Sequence, residues 1–154
     1  MPGENYSIHS AQISELIFEY AERIDAGDLE GVADLLAGAG FGAASGTLLH
    51  GRESILAMYK STVRIYDDGT PRTKHLVTNL AVKVGPGAEA ASARSYFTVL
   101  QQIPDGPLGP IVSGRYRDQF VNHDGIWRFS ERRISSDLIG DVSNHMLPGG
   151  PQLT

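Results

Sequence analysis

The segment that decides the fold reads ISELIFEYAERIDAGD and runs from Ile13 to Asp28. Its apolar side chains recur every three or four residues, a spacing that aligns them on one face of an α-helix. The pattern predicts a core-facing helix that stops at Gly27, since glycine is typical of helix C-termini. The predicted inward face consists of Ile13, Leu16, Ile17, Tyr20, Ala21 and Ile24.

Asp25 is the unusual residue of this helix. It falls beside Phe18 and Ala21, at the edge of the apolar face, where a carboxylate can reach inward. An aspartate this close to a helix end often only caps the helix. The helix alone therefore leaves two interpretations open, a capping group and a functional carboxylate.

Two further helices are predicted before the chain changes character. Asp28 can cap the second, and residues 52–63 form the third. The glycine-rich segment 38–46 between them formally fits a G-x-G-x-x-A dinucleotide motif, but it follows a helix and leads into a short strand-like segment, residues 47–50. We therefore interpret residues 38–46 as a flexible connection.

Strand patterns dominate the rest of the chain. Alternating or continuous apolar character marks strands over residues 73–84, 89–103, 111–122 and 126–137, and Asp124-Gly125 favours a tight hairpin turn between the last two. Helices followed by antiparallel strands predict an α+β fold, with three N-terminal helices packed on the concave face of a curved, mainly antiparallel sheet. We expect one domain over residues 1–154, with a core of about 8–141 and a C-terminal tail, 142–154, of which residues 147–154 are either disordered or folded over a pocket mouth.

Composition excludes several classes of function. The net charge of −5 argues against nucleic-acid binding, and the absence of cysteine excludes thiol nucleophiles and disulfides. The five histidines lack metal-ligand spacing, so no metal and no cofactor is expected. With neither a secretory leader nor an apolar run of about 18 residues, we expect a cytoplasmic protein without a membrane span.

Five short motifs, in this order and spacing, resemble the SnoaL-like branch of the nuclear transport factor 2-like superfamily, a group of cone-shaped, cystatin-like α+β proteins. They cover roughly residues 8 to 141. They are Tyr20-Ala21-x-x-Ile24-Asp25-x-Gly27-Asp28, Gly51-Arg52-Glu53-Ser54-Ile55, Thr73-Lys74-His75 with Asn79, Gly114-Arg115-Tyr116-x-Asp118, and Asp124-Gly125-x-Trp127-Arg128-Phe129 running into Arg132-Arg133.

The resemblance implies a catalytic pair. In the scytalone and bile-acid dehydratases and the hexachlorocyclohexane dehydrochlorinase of this superfamily, a strand histidine is the base and a helix aspartate holds it, which corresponds to His75 and Asp25. The bile-acid type also has a tyrosine that matches Tyr20. The dehydrochlorinase has a lysine in this region that the present chain lacks, so dehydrohalogenation is less favoured.

Other candidate residues would line the pocket. Tyr20 either packs in the core or donates its hydroxyl to a substrate oxygen, and Tyr96 could do likewise beside Met58. An arginine on the last strand could hold an anionic substrate group. Alternation from Trp127 and Phe129 selects Arg133, whereas the resemblance selects Arg132, and a β-bulge would decide between them.

The resulting hypothesis is a cofactor-independent lyase or isomerase, with dehydration as the favoured outcome. His75, oriented by Asp25, would remove a carbon-bound proton from an apolar, cyclic, oxygenated small molecule. Two alternatives stay open, a non-catalytic ligand-binding protein and a structural protein similar to dioxygenase small subunits. The resemblance implies a homo-oligomer, a dimer or a trimer, since members of this fold commonly assemble through the exposed sheet face, and the apolar residues on both strand faces are compatible with that.

Overall fold

The computed structural model describes residues 2–149, with side chains from residue 5 onward. The prediction of a disordered or covering tail falls partly on residues 150–154, which lie outside the described residues. Within residues 2–149, three helices and six strands make up the fold. They are α1 (Pro2–Asp25), α2 (Leu29–Leu35), β1 (Gly40–Ala43), β2 (Leu49–His50), α3 (Arg52–Thr62), β3 (Thr73–Val84), β4 (Ala90–Gln101), β5 (Gly109–His123) and β6 (Ile126–Ile139), with a short 3-10 turn at Pro86–Ala88.

The predicted α+β class is confirmed. All six strands join one curled sheet in the order β2-β1-β6-β5-β4-β3, antiparallel except where β1 runs parallel to β6. The long strands are sequential neighbours joined by short connections, as expected for a meander. Asp124 and Gly125, with φ values of 53° and 84°, form the predicted turn between β5 and β6.

The core lies between α1 and the inner face of the sheet. Ile13, Ile17, Tyr20 and Ile24 of α1 are all at most 3% exposed, in agreement with the helical spacing of the sequence. The side chains opposite them come from alternate positions of the long strands, which point to one face of the sheet. These strand residues are Ala91, Ala93, Phe97, Val99, Val112, Tyr116, Phe120, Trp127 and Phe129.

The glycine-rich connection is a correction to the sequence analysis. Residues 40–43 form strand β1, which pairs with β6, and Phe41 is buried in the core. A strand of four residues is too short to show alternation, and its partner lies about 90 positions further along the chain. Glycine suits this strand because a Cβ atom on Gly40 would lie 2.8 Å from the side chain of Leu48.

None of the described helices combines the length and the apolar character needed to cross a bilayer.

Candidate active site

Asp25 and His75 are in direct contact. Asp25 is the last residue of α1 and His75 is the third residue of β3, so the packing of this helix on this strand brings the two side chains together. Nδ1 of His75 lies 2.6 Å from Oδ1 of Asp25. The backbone N–H of His75 also donates to Oδ2, and the Thr73 hydroxyl donates to Oδ1, both at 2.8 Å. Asp25 therefore binds β3 and does not cap its own helix.

The chemistry of the pair follows from the charge on Asp25. Burial by itself raises the pKa of this carboxyl, but the hydrogen bonds and charge of His75 outweigh burial and leave the pKa below its usual value. The carboxylate is therefore ionised at neutral pH and can only accept hydrogen bonds. Nδ1 of His75 must carry the hydrogen in this contact, which leaves the lone pair on Nε2 when the ring is neutral.

A mostly apolar cavity of about 350 Å³ lies between the helices and the sheet. His75 forms part of its wall, while its partner Asp25 lies behind the ring, outside the cavity lining. Both side chains are less than one tenth exposed, so bulk water is largely excluded from their contact. An imidazole backed by a carboxylate and facing an apolar cavity is an arrangement suited to a general base.

Tyr20 lines the same cavity but does not act alone. Its hydroxyl oxygen lies 2.6 Å from that of Tyr59 on α3, and both rings are buried. Burial is the main reason why the pKa of each phenol is raised, so both tyrosines are neutral donors at pH 7. Two hydroxyls share one hydrogen bond, and one hydroxyl hydrogen of the pair therefore stays available to a ligand.

Arg132 faces inward but does not line the cavity, which corrects one part of the sequence analysis. The pairing of β5 with β6 shifts register between Gln119 and Phe120. This shift breaks the alternation counted from Phe129 and turns Arg132 into the core. Its guanidinium is fully buried, makes two 2.8 Å hydrogen bonds to Asp118, and lies 4.1 Å from the Tyr20 ring centre. Arg132 therefore packs against the ring of Tyr20, and Asp118 balances its charge.

Arg133 and Tyr96 also fall outside the cavity. The same register shift turns Arg133 outward, where it bonds Glu131 and backbone carbonyls of residues 43, 44 and 46. Tyr96 is half exposed because it lies on the outer face of β4, at the opposite parity to the inward Phe97. The structure therefore places neither of these two predicted substrate-binding residues at the cavity. Met58, the remaining predicted wall residue, does line the cavity.

The segment after β6, residues 142–149, contributes residues that the sequence analysis missed. Met146 pairs with Val63 at the end of α3, and both His145 and Met146 line the cavity. These two residues precede residues 147–154, for which a disordered or covering tail stays a prediction. No spacing pattern in the sequence distinguishes His145, because its long-range partner Arg64 lies about 80 positions earlier in the chain. Tyr59 is a further polar residue of the cavity that the sequence analysis does not identify.

The part of the chain that the structure describes contains no group of three metal-ligating side chains close enough to hold an ion.

Comparison with solved structures places the fold among known relatives. A Mycobacterium tuberculosis protein of unknown function is 26% identical, with a TM-score of 0.72 over 90% of this chain and 78% of that one. A Novosphingobium aromaticivorans protein provisionally assigned as a scytalone dehydratase is 22% identical, with a TM-score of 0.69 over 92% and 91%. LinA is 16% identical, with a TM-score of 0.69 over 97% and 96%.

A search of the curated proteins found no match. The family model described as the SnoaL-like domain matches residues 7–133, which include most of α1, all of β3 and the contact between Asp25 and His75. The chain therefore belongs to the SnoaL-like domain family.

Proposed function

We propose that this protein is a cofactor-independent lyase or isomerase that removes a carbon-bound proton from a small, mostly apolar, cyclic and oxygenated molecule, with dehydration as the favoured outcome. The contact between Asp25 and His75 at the wall of the apolar cavity carries this proposal. The solved structures of similar fold include a protein provisionally assigned as a scytalone dehydratase, which supports the same class of chemistry.

His75 acts as the base in this mechanism. Nε2 takes a proton from the carbon next to a carbonyl group, and the electron pair of the broken C–H bond forms the C=C bond of an enolate as the carbonyl π electrons move to oxygen. The Asp25 carboxylate stabilises the imidazolium that results. The enolate then returns to a carbonyl, its C=C electron pair forms the new double bond to the neighbouring carbon, and the C–O bond of that carbon breaks. The hydroxyl leaves with the proton returned by His75, so that water is the only by-product.

The tyrosine pair stabilises the charge that develops on the substrate. The free hydroxyl hydrogen of Tyr20 or Tyr59 donates to the substrate carbonyl oxygen as that oxygen gains negative charge. In a cavity that excludes water such a donor contributes more than it would in solution. Met58 and the aromatic Phe97 pack against the ring of the substrate and supply most of the contact area.

Deuterium exchange tests the first chemical step without knowledge of the natural substrate. The protein is incubated in heavy water with cyclohexanone or β-tetralone, and exchange of the α-hydrogens is followed by NMR. We expect exchange above the buffer rate, and a loss of about 100-fold or more in His75→Gln, in line with the usual contribution of a general base. The exposed His123 provides the matched control, since His123→Gln leaves the cavity intact.

The outcomes separate the alternatives. If the wild-type protein binds these ketones without any exchange, the result would contradict the proposed enzymatic activity and support a ligand-binding protein. Exchange that persists in His75→Gln would show that another group is the base. Loss of water from β-hydroxycyclohexanone, measured as the rise in ultraviolet absorption of the conjugated enone, then distinguishes a dehydratase from an isomerase.

A further inference from the structure

His145 lies on the segment that closes the cavity, at a position fixed by its backbone. Its carbonyl accepts a hydrogen bond from the N–H of Arg64 at 2.8 Å, and its own N–H donates to the carbonyl of Val142 at 3.0 Å. The neighbouring N–H of Leu147 donates to the carbonyl of Thr62. These bonds hold the segment against the end of α3, so the position of the imidazole is determined by main-chain contacts rather than by bonds of its ring.

The imidazole itself lacks the partners that a buried polar group normally has. His145 is 8% exposed and lines the cavity together with His75 and Tyr59. Within residues 5–149 its Nδ1 atom is buried without a hydrogen-bond partner. Buried nitrogen and oxygen atoms in proteins are nearly always paired, so this ring, which forms part of the cavity wall, has hydrogen-bonding capacity at Nδ1 that no described residue uses.

The two cavity histidines differ in their surroundings. His75 bonds a carboxylate, whereas His145 has none in contact with its ring in this part of the chain. Burial, and next the nearby His75, lower the pKa of His145 to about 4, against the smaller opposite influence of Asp25. His145 is therefore a neutral imidazole at pH 7, with one N–H donor and one nitrogen acceptor, and it is poorly suited to act as a second base.

We propose that His145 is a substrate-positioning residue whose imidazole hydrogen-bonds a hydroxyl or carbonyl oxygen of the molecule held in the cavity. This inference deepens the proposed function, since it uses the same cavity and requires a ligand with an oxygen near the segment 142–149. The ligand class is a small, largely apolar ring with a polar oxygen at this side. An all-hydrocarbon ligand would leave the imidazole unpaired and would bind less tightly.

A matched pair of ligands measures this hydrogen bond without any turnover. β-Naphthol and naphthalene have the same ring system and differ by one hydroxyl group, and their dissociation constants are obtained by fluorescence or NMR titration. We expect the wild-type protein to bind β-naphthol about 3- to 10-fold more tightly, the range for one neutral hydrogen bond. His145→Phe, which keeps an aromatic ring, should reduce this ratio to about one.

Two further variants test whether a lost preference reflects misfolding or a hydrogen bond to another residue. His145→Gln keeps a donor and an acceptor, so it should retain part of the preference for β-naphthol. Loss of the preference in Tyr59→Phe, with its retention in His145→Phe, would place the hydroxyl at the tyrosine pair and overturn the proposal. Failure of the wild-type protein to bind either probe would also overturn it.

Nitrogen-15 NMR of the histidine rings supplies a readout that needs no substitution. β-Naphthol should shift the His145 ring nitrogens of the wild-type protein, and naphthalene should not. An identical response to both ligands contradicts the proposal. In the deuterium-exchange assay, His145→Phe should raise KM more than it lowers kcat, whereas His75→Gln should mainly lower kcat. Absence of exchange, with the naphthol preference intact, would reject the proposed function but leave the role of His145 standing.

Discussion

Replacement of Asp25 by asparagine should change which nitrogen of His75 carries the hydrogen. The carboxylate now accepts three hydrogen bonds, from Nδ1 and the backbone N–H of His75 and from the hydroxyl of Thr73. An amide has one acceptor oxygen and one NH₂ group. In one orientation of the amide its oxygen faces Nδ1, and the NH₂ group then opposes the backbone N–H of His75. In the flipped orientation the NH₂ group donates to Nδ1, which forces the ring hydrogen onto Nε2.

The size of the effect follows from the bonds that are lost. Hydrogen bonds to charged groups contribute about 1.5 to 3 kcal/mol each. The hydrogen bond from Nδ1–H to the carboxylate favours the Nδ1–H tautomer of His75. Its loss shifts the ratio of the two tautomers by about 10- to 100-fold towards Nε2–H. The free energy of unfolding should fall by about 2 to 3 kcal/mol, which for a chain of this size lowers Tm by roughly 4 to 12 °C.

Nitrogen-15 NMR of labelled histidine identifies the tautomer directly, and thermal unfolding gives the stability. Thr73→Val is the matched control because it removes a hydrogen bond to the same carboxylate but keeps the charge, so His75 should stay in the Nδ1–H form. The reasoning is refuted if Asp25→Asn leaves the wild-type tautomer in place and changes Tm by less than about 1 °C.

Three further predictions concern the core and the cavity wall. Arg132→Met leaves a buried carboxylate unpaired and should cost about 3 to 5 kcal/mol in urea unfolding, whereas the outward Arg133→Met should cost less than about 1, and equal losses would contradict the assigned orientations. Because the pKa of His145 is lowered to about 4, the unfolded chain binds its proton more readily, so the free energy of unfolding should fall by about 3 kcal/mol between roughly pH 6.5 and pH 4, a slope that His145→Phe should lack. Gly114→Ala should destabilise the protein by about 2 kcal/mol or more in thermal unfolding because its Cβ would meet the carbonyl of Ser135 and lie 2.8 Å from the Phe97 ring, whereas Gly109→Ala, which enters open space, should leave Tm nearly unchanged.

The long elements could be predicted because their signals are local. Strand β3 has the predicted bounds, 73–84, and α3 differs from the prediction by one residue. Asp28 accepts a hydrogen bond from the N–H of Gly31, as its predicted role of helix cap requires. Periodicity and capping depend only on residues within a turn or two, so the sequence suffices to find them.

The errors have non-local causes. Strand β1 exists because β6 offers a free edge, and the direction of Arg132 depends on a bulge that pairs Gln119 with Glu131 but Phe120 with Phe129. A shift of one residue in strand register reverses the face of every later side chain. Alternation counted from Phe129 therefore selected Arg133, although the fold buries its neighbour.

The sequence by itself determined the α+β class, the core face of α1 and the candidates Asp25 and His75, because periodicity, turn residues and motif spacing are written in consecutive positions. Only the tertiary structure decided that Asp25 binds β3 instead of its own helix end, that Tyr20 shares its hydroxyl with Tyr59, and that His145 completes the cavity. These contacts join residues about 40 to 80 positions apart, and their distances depend on how helix, sheet and C-terminal segment pack together.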